Sequence, residues 1–381
     1  MRALILTDAD TAAREGQLLS RMEVGLIGHG IRILYAEPSD DQLHVDAESL
    51  IAGLEYTSGG SILTLKARAR KLVRDVDEAI GFDDPTSSRL DLVHVLGSGA
   101  WGIGLQAAVS AGSYLVVEVL NAQDLERVRP FENRVTRAFG GEARFAWLAP
   151  GPSMYQALRD HAKSAPIYET YWGTHTSAHA HPQASGEILP SIAIVTSGIK
   201  QDRLLRFLDA VKQYQPTDGA EHPMCFLDEH AVRRTHEASR YIRALGIDDR
   251  ISIVPSLEHS RALTMNCDVL VLPDADGQHR SLTLEAMANG VLVLAARDPL
   301  LDDLLIDQTT ALLADRPTPG VWKDLLTTVL DRKNLQCQTI RDQARQFVKE
   351  HRVASAHIDA IAAAYNQICG EQAIPFGGPA D

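Results

Sequence analysis

The residues best suited to chemistry lie between Asp268 and Ala295. Asp268-Val-Leu-Val-Leu-Pro273 reads as a buried strand, and Ser281-Leu-Thr-Leu-Glu-Ala-Met-Ala-Asn-Gly290 reads as a helix carrying one carboxylate, Glu285. Asn289-Gly290 closes that helix as a C-cap, and Val291 to Ala295 is a second apolar strand. In open α/β sheets, a loop and helix N-terminus at the carboxyl end of a strand hold phosphorylated ligands. A carboxylate on such a helix can accept hydrogen bonds from sugar hydroxyls. The combination points to a nucleotide-type ligand. Taken alone, Glu285 would suit a solvated helix face better; the surrounding pattern favours the ligand.

Other groups admit more than one reading. His94, within the apolar run Leu92-Val-His-Val-Leu96, suits a satisfied core histidine more readily than a catalyst. His175, His179 and His181 have a spacing that a metal could use, but a run rich in small residues suits solvated side chains. The basic run Lys66-Ala-Arg-Ala-Arg-Lys71, with Arg74, reads as a solvated helix face or as one drawn to anionic headgroups.

The elements that must position these residues alternate along the chain. Strands are expected at Ala3 to Leu6, Ile31 to Tyr35, Asp91 to Leu96, Tyr114 to Leu120 and Arg144 to Leu148. Helices are expected at Ala12 to Ile27, over Ser61 to Ile80 and from Gly99 through Ala111. Hydrophobicity falls between Gly173 and Pro190, which reads as an interdomain connection. A second series follows: strand Ser191 to Thr196, helix Asp202 to Tyr214, strand Met224 to Leu227, helix Val232 to Leu245 and strand Ile251 to Val254. After the Glu285 segment come helices over Gly320 to Leu330 and Thr339 to Cys369, then a Gly/Pro-rich tail. The expected fold is α/β, with two doubly wound Rossmann-like domains facing a cleft. Their boundaries are placed at 1–180 and 181–350, and a C-terminal helix over 351–381 is expected to pack back toward the first domain.

Bulk properties narrow the classes. A chain of 381 residues is too long for one ordinary core. Its 37 Lys+Arg against 50 Asp+Glu give a net charge of −13, which argues against generic nucleic-acid binding. No apolar run reaches the ~18–20 residues of a membrane span, and the amino terminus lacks the pattern of a cleavable signal. Four scattered cysteines, Cys225, Cys267, Cys337 and Cys369, suit reduced thiols in a cytoplasmic protein.

These residues resemble GT-B-fold glycosyltransferases, specifically the large retaining family-4 type of the phosphatidylinositol mannosyltransferases and sucrose-type synthases. Glu285-Ala-Met-Ala-x-Gly290 matches "E-A-M-A-x-G" residue for residue. Gly28-His29-Gly-Ile-Arg-Ile-Leu34 resembles "GH-x-V-x-V", Leu92-Val-His94-Val resembles "D-x-V-H-x-H", and Leu245-Gly246-Ile-Asp-Asp-Arg250-Ile resembles "L-G-L-x-D-R-V". Leu148-Ala-Pro150-Gly-Pro-Ser153 and Trp172-Gly173 fall in order between them. The resemblance implies transfer of a sugar from a nucleotide-diphosphate donor, with retention, to a glycan, lipid or small-molecule acceptor. It implies no cofactor and no metal. Glu285 would hold the donor ribose. Gly198, Lys200 and Arg203, in Thr196-Ser-Gly-Ile-Lys-Gln-Asp-Arg203, would face the diphosphate, with Arg280 and the amides of Ser281 and Leu282 completing the cradle. His94 and Asn121 would face the acceptor. Related enzymes with lipid acceptors dock through basic helices, so the 62–80 helix implies peripheral contact with the inner membrane face.

Three positions depart from the family pattern. Gly277 stands where the family carries a glutamate near the donor sugar, which leaves Asp274 or Asp276 as substitutes. Leu120 stands in place of an acceptor-side histidine, and Thr11-Ala12 in place of a glycine pair. An alternative therefore stays open: a GT-B-fold nucleotide-sugar-binding or scaffold protein without turnover.

Overall fold

Apolar runs of five or six residues, too short for helices and flanked by helical periods, give parallel strands buried on both faces. The computed structural model describes residues 1–39, 54–57, 62–83, 90–176, 189–216, 221–229, 232, 237–331 and 334–370. They divide into two compact units: Met1–Tyr171 with Ser355–Asp381, and Trp172–Ala354. The sequence reading sets these divisions at 180 and 350. Residues 177–188 and 371–381, which include His179, His181 and the Gly/Pro-rich tail, lie outside the described residues.

Unit 1 runs β1 (Arg2–Thr7), α1 (Ala9–Ile27), β2 (Arg32–Pro38), β3 (Leu54–Tyr56), α2 (Ile62–Asp83), β4 (Leu92–Leu96), α3 (Trp101–Ala111), β5 (Tyr114–Glu118), α4 (Ala122–Ala138), β6 (Phe145–Ala149), α5 (Pro152–His161) and β7 (Ile167–Glu169). Its sheet has the order β3-β2-β1-β4-β5-β6-β7, with every described pairing parallel. On one flank Trp101, Phe131, Phe145 and Trp147 stack edge-on and tilted, with centroids 4.8 to 6.2 Å apart.

Unit 2 runs β8 (Ser191–Thr196), α6 (Gln201–Gln213), β9 (Met224–Asp228), α7 (Ala238–Leu245), β10 (Ile251–Val254), α8 (Arg261–Met265), β11 (Val269–Asp274), α9 (Arg280–Asn289), β12 (Leu292–Ala296), β13 (Leu312–Ala314), α10 (Pro319–Leu330) and α11 (Leu335–His351). Its parallel sheet has the order β10-β9-β8-β11-β12-β13. Val271 sits opposite Ile194 on one side and Leu294 on the other, so the middle of the sheet is wholly apolar. Phe207 of α6 and Trp322 of α10 meet edge-to-face at 5.4 Å across its face.

The expected helix from Thr339 to Cys369 is two helices, α11 and α12 (Ala354–Gly370). They part at Arg352-Val353 because that backbone is committed elsewhere: Thr174 N donates to Arg352 O at 2.8 Å, and Ala354 N donates to Thr174 O at 3.0 Å. Gly173 permits the approach, since a Cβ there would collide with the Val353 carbonyl. Helical periodicity continues through this point, so nothing local announces the break.

Candidate functional site

In unit 2 the chain moves outward from β8 through β9 and β10, then returns to lay β11 on the other side of β8. The reversal opens a crevice at the carboxyl ends of β8 and β11, the switch point where doubly wound sheets bind ligands. Ser197 to Lys200 follow β8 at that end, and Ala275 to His279 connect β11 to α9.

Asp274 ties the two loops together. Its carboxylate is fully buried, and Oδ2 accepts from Ser197 Oγ at 2.5 Å and from Lys200 N at 3.0 Å. Ser197 N in turn donates to Asp274 O at 2.8 Å. The register shifts just before this point: Val271 faces Ile194 and Asp274 faces Thr196, so three steps along β11 span two along β8. The extra residue turns the Asp274 carboxylate toward the β8 loop.

The loop after β11 is wound tightly. Asp276, Gly277 and His279 have φ of 56°, 84° and 61°, and two of these are non-glycine residues held in the left-handed region. Local bonds hold them there. Gly277 N donates to Asp298 Oδ2 at 2.7 Å, and His279 Nδ1 lies 2.9 Å from Glu258 Oε1. Burial raises the Asp298 carboxyl above its ordinary value despite the N–H bonds from Gly277 and Leu300.

The loop delivers α9 with its N-terminus at the crevice. The first intrahelical bond runs from Thr283 N to His279 O at 2.9 Å, so the amides of Arg280, Ser281 and Leu282 precede the helical ladder. These amides and the helix dipole favour an anion. Lys200 supplies a side-chain cation, and its Nζ is 2.5 Å from Asp276 Oδ1. Gly198, with φ +70°, makes the turn that precedes it, and Arg203 lies half-buried in the first turn of α6. Glu285 follows Ser281 by four residues, on the same helical face. Its Oε2 accepts from Arg261 Nη1 at 3.1 Å.

The sequence-predicted residues therefore separate into groups. Gly198, Lys200 and Asp276 lie on the two loops that follow β8 and β11, while Ser281, Leu282 and Glu285 lie on the first turns of α9, with the Leu282 side chain in the core. Arg280 is the first residue of α9, but its guanidinium turns inward. It donates to both oxygens of Asp303 at 2.8 and 3.1 Å and to Leu300 O at 2.7 Å, with its side chain 2% exposed. The expected diphosphate contact of Arg280 is thus replaced by an internal one, because its charge neutralises a buried carboxylate.

The two unit 1 candidates are also engaged. His94 is fully buried on β4, with Nδ1 2.6 Å from Tyr365 Oη and Nε2 3.5 Å from Glu118 Oε2. It fits the core-histidine reading. Asn121 caps α4, its side chain accepting from Asp124 N at 3.0 Å. Neither delivers its side chain to an open surface.

Several groups escaped the motif reading. Arg261 and Glu258 sit on and before the five-residue α8, too short for a periodic signal. In unit 1, Asp8 follows β1 and accepts from Thr11 N and Gly99 N, both at 2.9 Å, at that sheet's own switch point. Nearby, burial pushes the Asp124 carboxyl up to about 6 against opposing hydrogen bonds from Ser98 and the Leu120 amide. Among the described residues, no group of three or more His, Cys, Asp or Glu is arranged to hold a metal.

No family model matches the chain. It is 33% identical over 108 residues to the D-inositol 3-phosphate glycosyltransferase of Corynebacterium efficiens, a match covering 27% of this chain and 26% of that protein. Solved structures match far more of it. Sucrose-phosphate synthase from Thermosynechococcus elongatus superposes with a TM-score of 0.71 at 13% identity, covering 98% of this chain and 100% of that one. Anabaena HepE, solved with UDP and glucose, gives 0.70 at 14% identity, covering 96% and 100%. A glycosyltransferase from Rickettsia africae gives 0.68 at 12% identity, covering 96% and 98%. At such identities the likeness establishes the fold: two parallel-sheet Rossmann-like domains of the GT-B type.

Proposed function

We propose that the protein is a glycosyltransferase that binds a nucleotide-diphosphate sugar in unit 2 and transfers the sugar, with retention, to a glycan, lipid or small-molecule acceptor. The observation that carries this reading is that the loops after β8 and β11 are joined at the switch point by the Lys200–Asp276 ion pair, and that the second loop leads directly into α9, which bears the Ser281 and Leu282 amides and Glu285. As the glycosyl bond breaks, charge develops on the leaving diphosphate; a cation and fixed amide dipoles stabilise it without a metal. Lys200 would exchange Asp276 for the diphosphate, and the released Asp276 carboxylate would then face the donor sugar. Glu285 would accept hydrogen bonds from the ribose hydroxyls. The HepE complex with UDP and glucose supports a nucleotide sugar as ligand on this fold.

A reading without turnover has its own support, because His94 and Asn121 are committed to the core and to a helix cap. Incubation with UDP-, GDP- and ADP-sugars separates the two. Nucleotide release dependent on an acceptor, with the anomeric configuration kept in the product, supports transfer; binding without release under every acceptor supports the alternative. In either case Glu285→Ala should weaken nucleotide-sugar affinity at least about tenfold, equivalent to about 1.4 kcal/mol, by calorimetry. Unchanged affinity would remove Glu285 from the site.

Peripheral membrane contact belongs to the same proposal. On α2 the side chains of Lys66, Arg70, Lys71 and Arg74 are exposed, and Leu63 is 80% exposed. Among the described residues no helix is long and apolar enough to cross a membrane. Cosedimentation with vesicles containing anionic lipid should fall severalfold when Lys66, Arg70 and Lys71 are changed to Gln, and should fall likewise as salt rises. Equal binding to neutral vesicles would refute an electrostatic contact.

A further inference from the structure

We infer that Arg261 is the positioning residue that makes the unit 2 site select a ribose, by fixing the Glu285 carboxylate. The inference rests on the reading of Glu285 as the ribose ligand and adds what gives that contact its selectivity. A glutamate on a helix surface has three rotatable side-chain bonds, and an unrestrained carboxylate cannot hold two adjacent hydroxyls in fixed directions. Here the guanidinium restrains it. Arg261 Nη1 donates to Glu285 Oε2 at 3.1 Å, and Nη2 reaches Ser281 Oγ at 3.2 Å, one helical turn earlier on the same face.

The guanidinium is itself anchored behind this contact. Its Nε donates to Glu258 O at 2.9 Å, and Nη2 lies 2.9 Å from Glu258 Oε2. Glu258, with a side chain 4% exposed, also meets His279 Nδ1 at 2.9 Å, and His279 is the N-cap of α9. One planar fork thus ties the ribose carboxylate, the first turn of the helix and its N-cap into a single rigid unit. Arg261 touches no donor atom in this scheme. Its effect on the ligand passes through Glu285.

A purely structural role would weaken every nucleotide alike. A positioning role weakens the one with ribose hydroxyls more. The test uses ADP, GDP and UDP and the 2′,3′-dideoxy form of each, titrated by calorimetry into the wild type, Glu285→Ala, Arg261→Ala and Arg261→Lys. The wild type should prefer the ribose form of its nucleotide by at least about tenfold, because a site built to bond hydroxyls rejects the analogue lacking them. Glu285→Ala should abolish the preference. Arg261→Ala should reduce it to about threefold or less, while affinity for the dideoxy form stays within about twofold of wild type. Arg261→Lys, which keeps a cation for Glu258 and hence the fold, should give an intermediate preference.

An Arg261 variant with the full wild-type preference, or one losing affinity equally for both forms, overturns the inference. If the wild type shows no preference, or if Glu285→Ala keeps it, the reading of Glu285 itself has failed, and that result is distinct from failure at Arg261 alone.

Discussion

Asp303→Ala should destabilise unit 2 by about 3–5 kcal/mol, the range for removing one member of a buried ion group. Asp303 holds two guanidiniums at once: Arg280 at 2.8 and 3.1 Å, and Arg352 at 2.8 Å. The three side chains are 2%, 5% and 5% exposed for Arg280, Arg352 and Asp303. Water therefore cannot take over when the carboxylate is removed, and two positive charges are left facing each other in a poorly solvated site. For a unit of this size the loss corresponds to a fall in melting temperature on the order of 10 °C.

The same geometry makes a second outcome calculable. Replacing all three residues together by apolar ones of similar volume (Arg280→Met, Asp303→Leu and Arg352→Met) should recover most of the loss, since desolvation of the charges disappears with them. Urea denaturation of the single and triple variants reads both. A single variant within about 1 kcal/mol of wild type would mean the guanidiniums find other partners, and the ion group is not what pins the first residue of α9.

How much of this was written in the sequence differs between the two halves of the Glu285 site. The helix Arg280–Asn289 and its flanking strands follow from two apolar runs and an Asn-Gly stop, and Gly290 takes the left-handed φ of 80° that the C-cap requires. The partner of Arg280 was not legible, because it lies 23 residues away on a loop whose course only the packed sheet determines. Arg261 was hidden for a related reason: a five-residue helix shows no period. In unit 1, α4 is masked in the sequence because its apolar stripe of Leu125, Val128, Phe131 and Val135 is set among charges and the helix contains Pro130. The edge strands Leu54–Tyr56, Ile167–Glu169 and Leu312–Ala314 are three residues each, below the length at which alternation can be seen.

His94 shows the limit most clearly. Its strand was readable as buried, which already made a core histidine the plainer expectation, yet the partner of its Nδ1, Tyr365, is 271 residues away. That distance brings a second histidine into the same cluster, with a consequence for pH. His357 is fully buried on α12 and is held down to about 4, first by burial and also by the nearby charges of Arg21 and His94, with Glu118 opposing. Such a histidine is neutral in the folded protein below the pH at which the unfolded chain takes up a proton, near 6.5. Between those values the unfolded state binds more protons, so stability is complete above about 6.5 and is lost as the pH falls toward 4. The gap between 6.5 and about 4 corresponds to about 3 kcal/mol.

Glu118 acts in a lower window. Burial alone would raise its carboxyl, but His94, the 2.6 Å hydrogen bond from Thr170 Oγ1 and His357 outweigh that and leave it below the ordinary value. At 3.5 Å the His94 contribution is electrostatic proximity rather than a well-formed bond. The stability it contributes is present above its unfolded value near 4.5 and disappears only below that. The two groups can therefore be told apart by measuring urea midpoints from pH 7 down to pH 4.5. The Asp124 carboxyl, held up to about 6, opposes the His357 loss by adding stability as the pH falls, so the reading is the difference between the two proteins: relative to wild type, the His357→Leu midpoint should rise steadily from pH 7 to pH 4.5 whatever its absolute stability. A variant that follows the wild-type slope would assign the acid sensitivity elsewhere. Since His357 and Tyr365 both lie on α12, the element whose packing the proton opposes is the described chain's last helix.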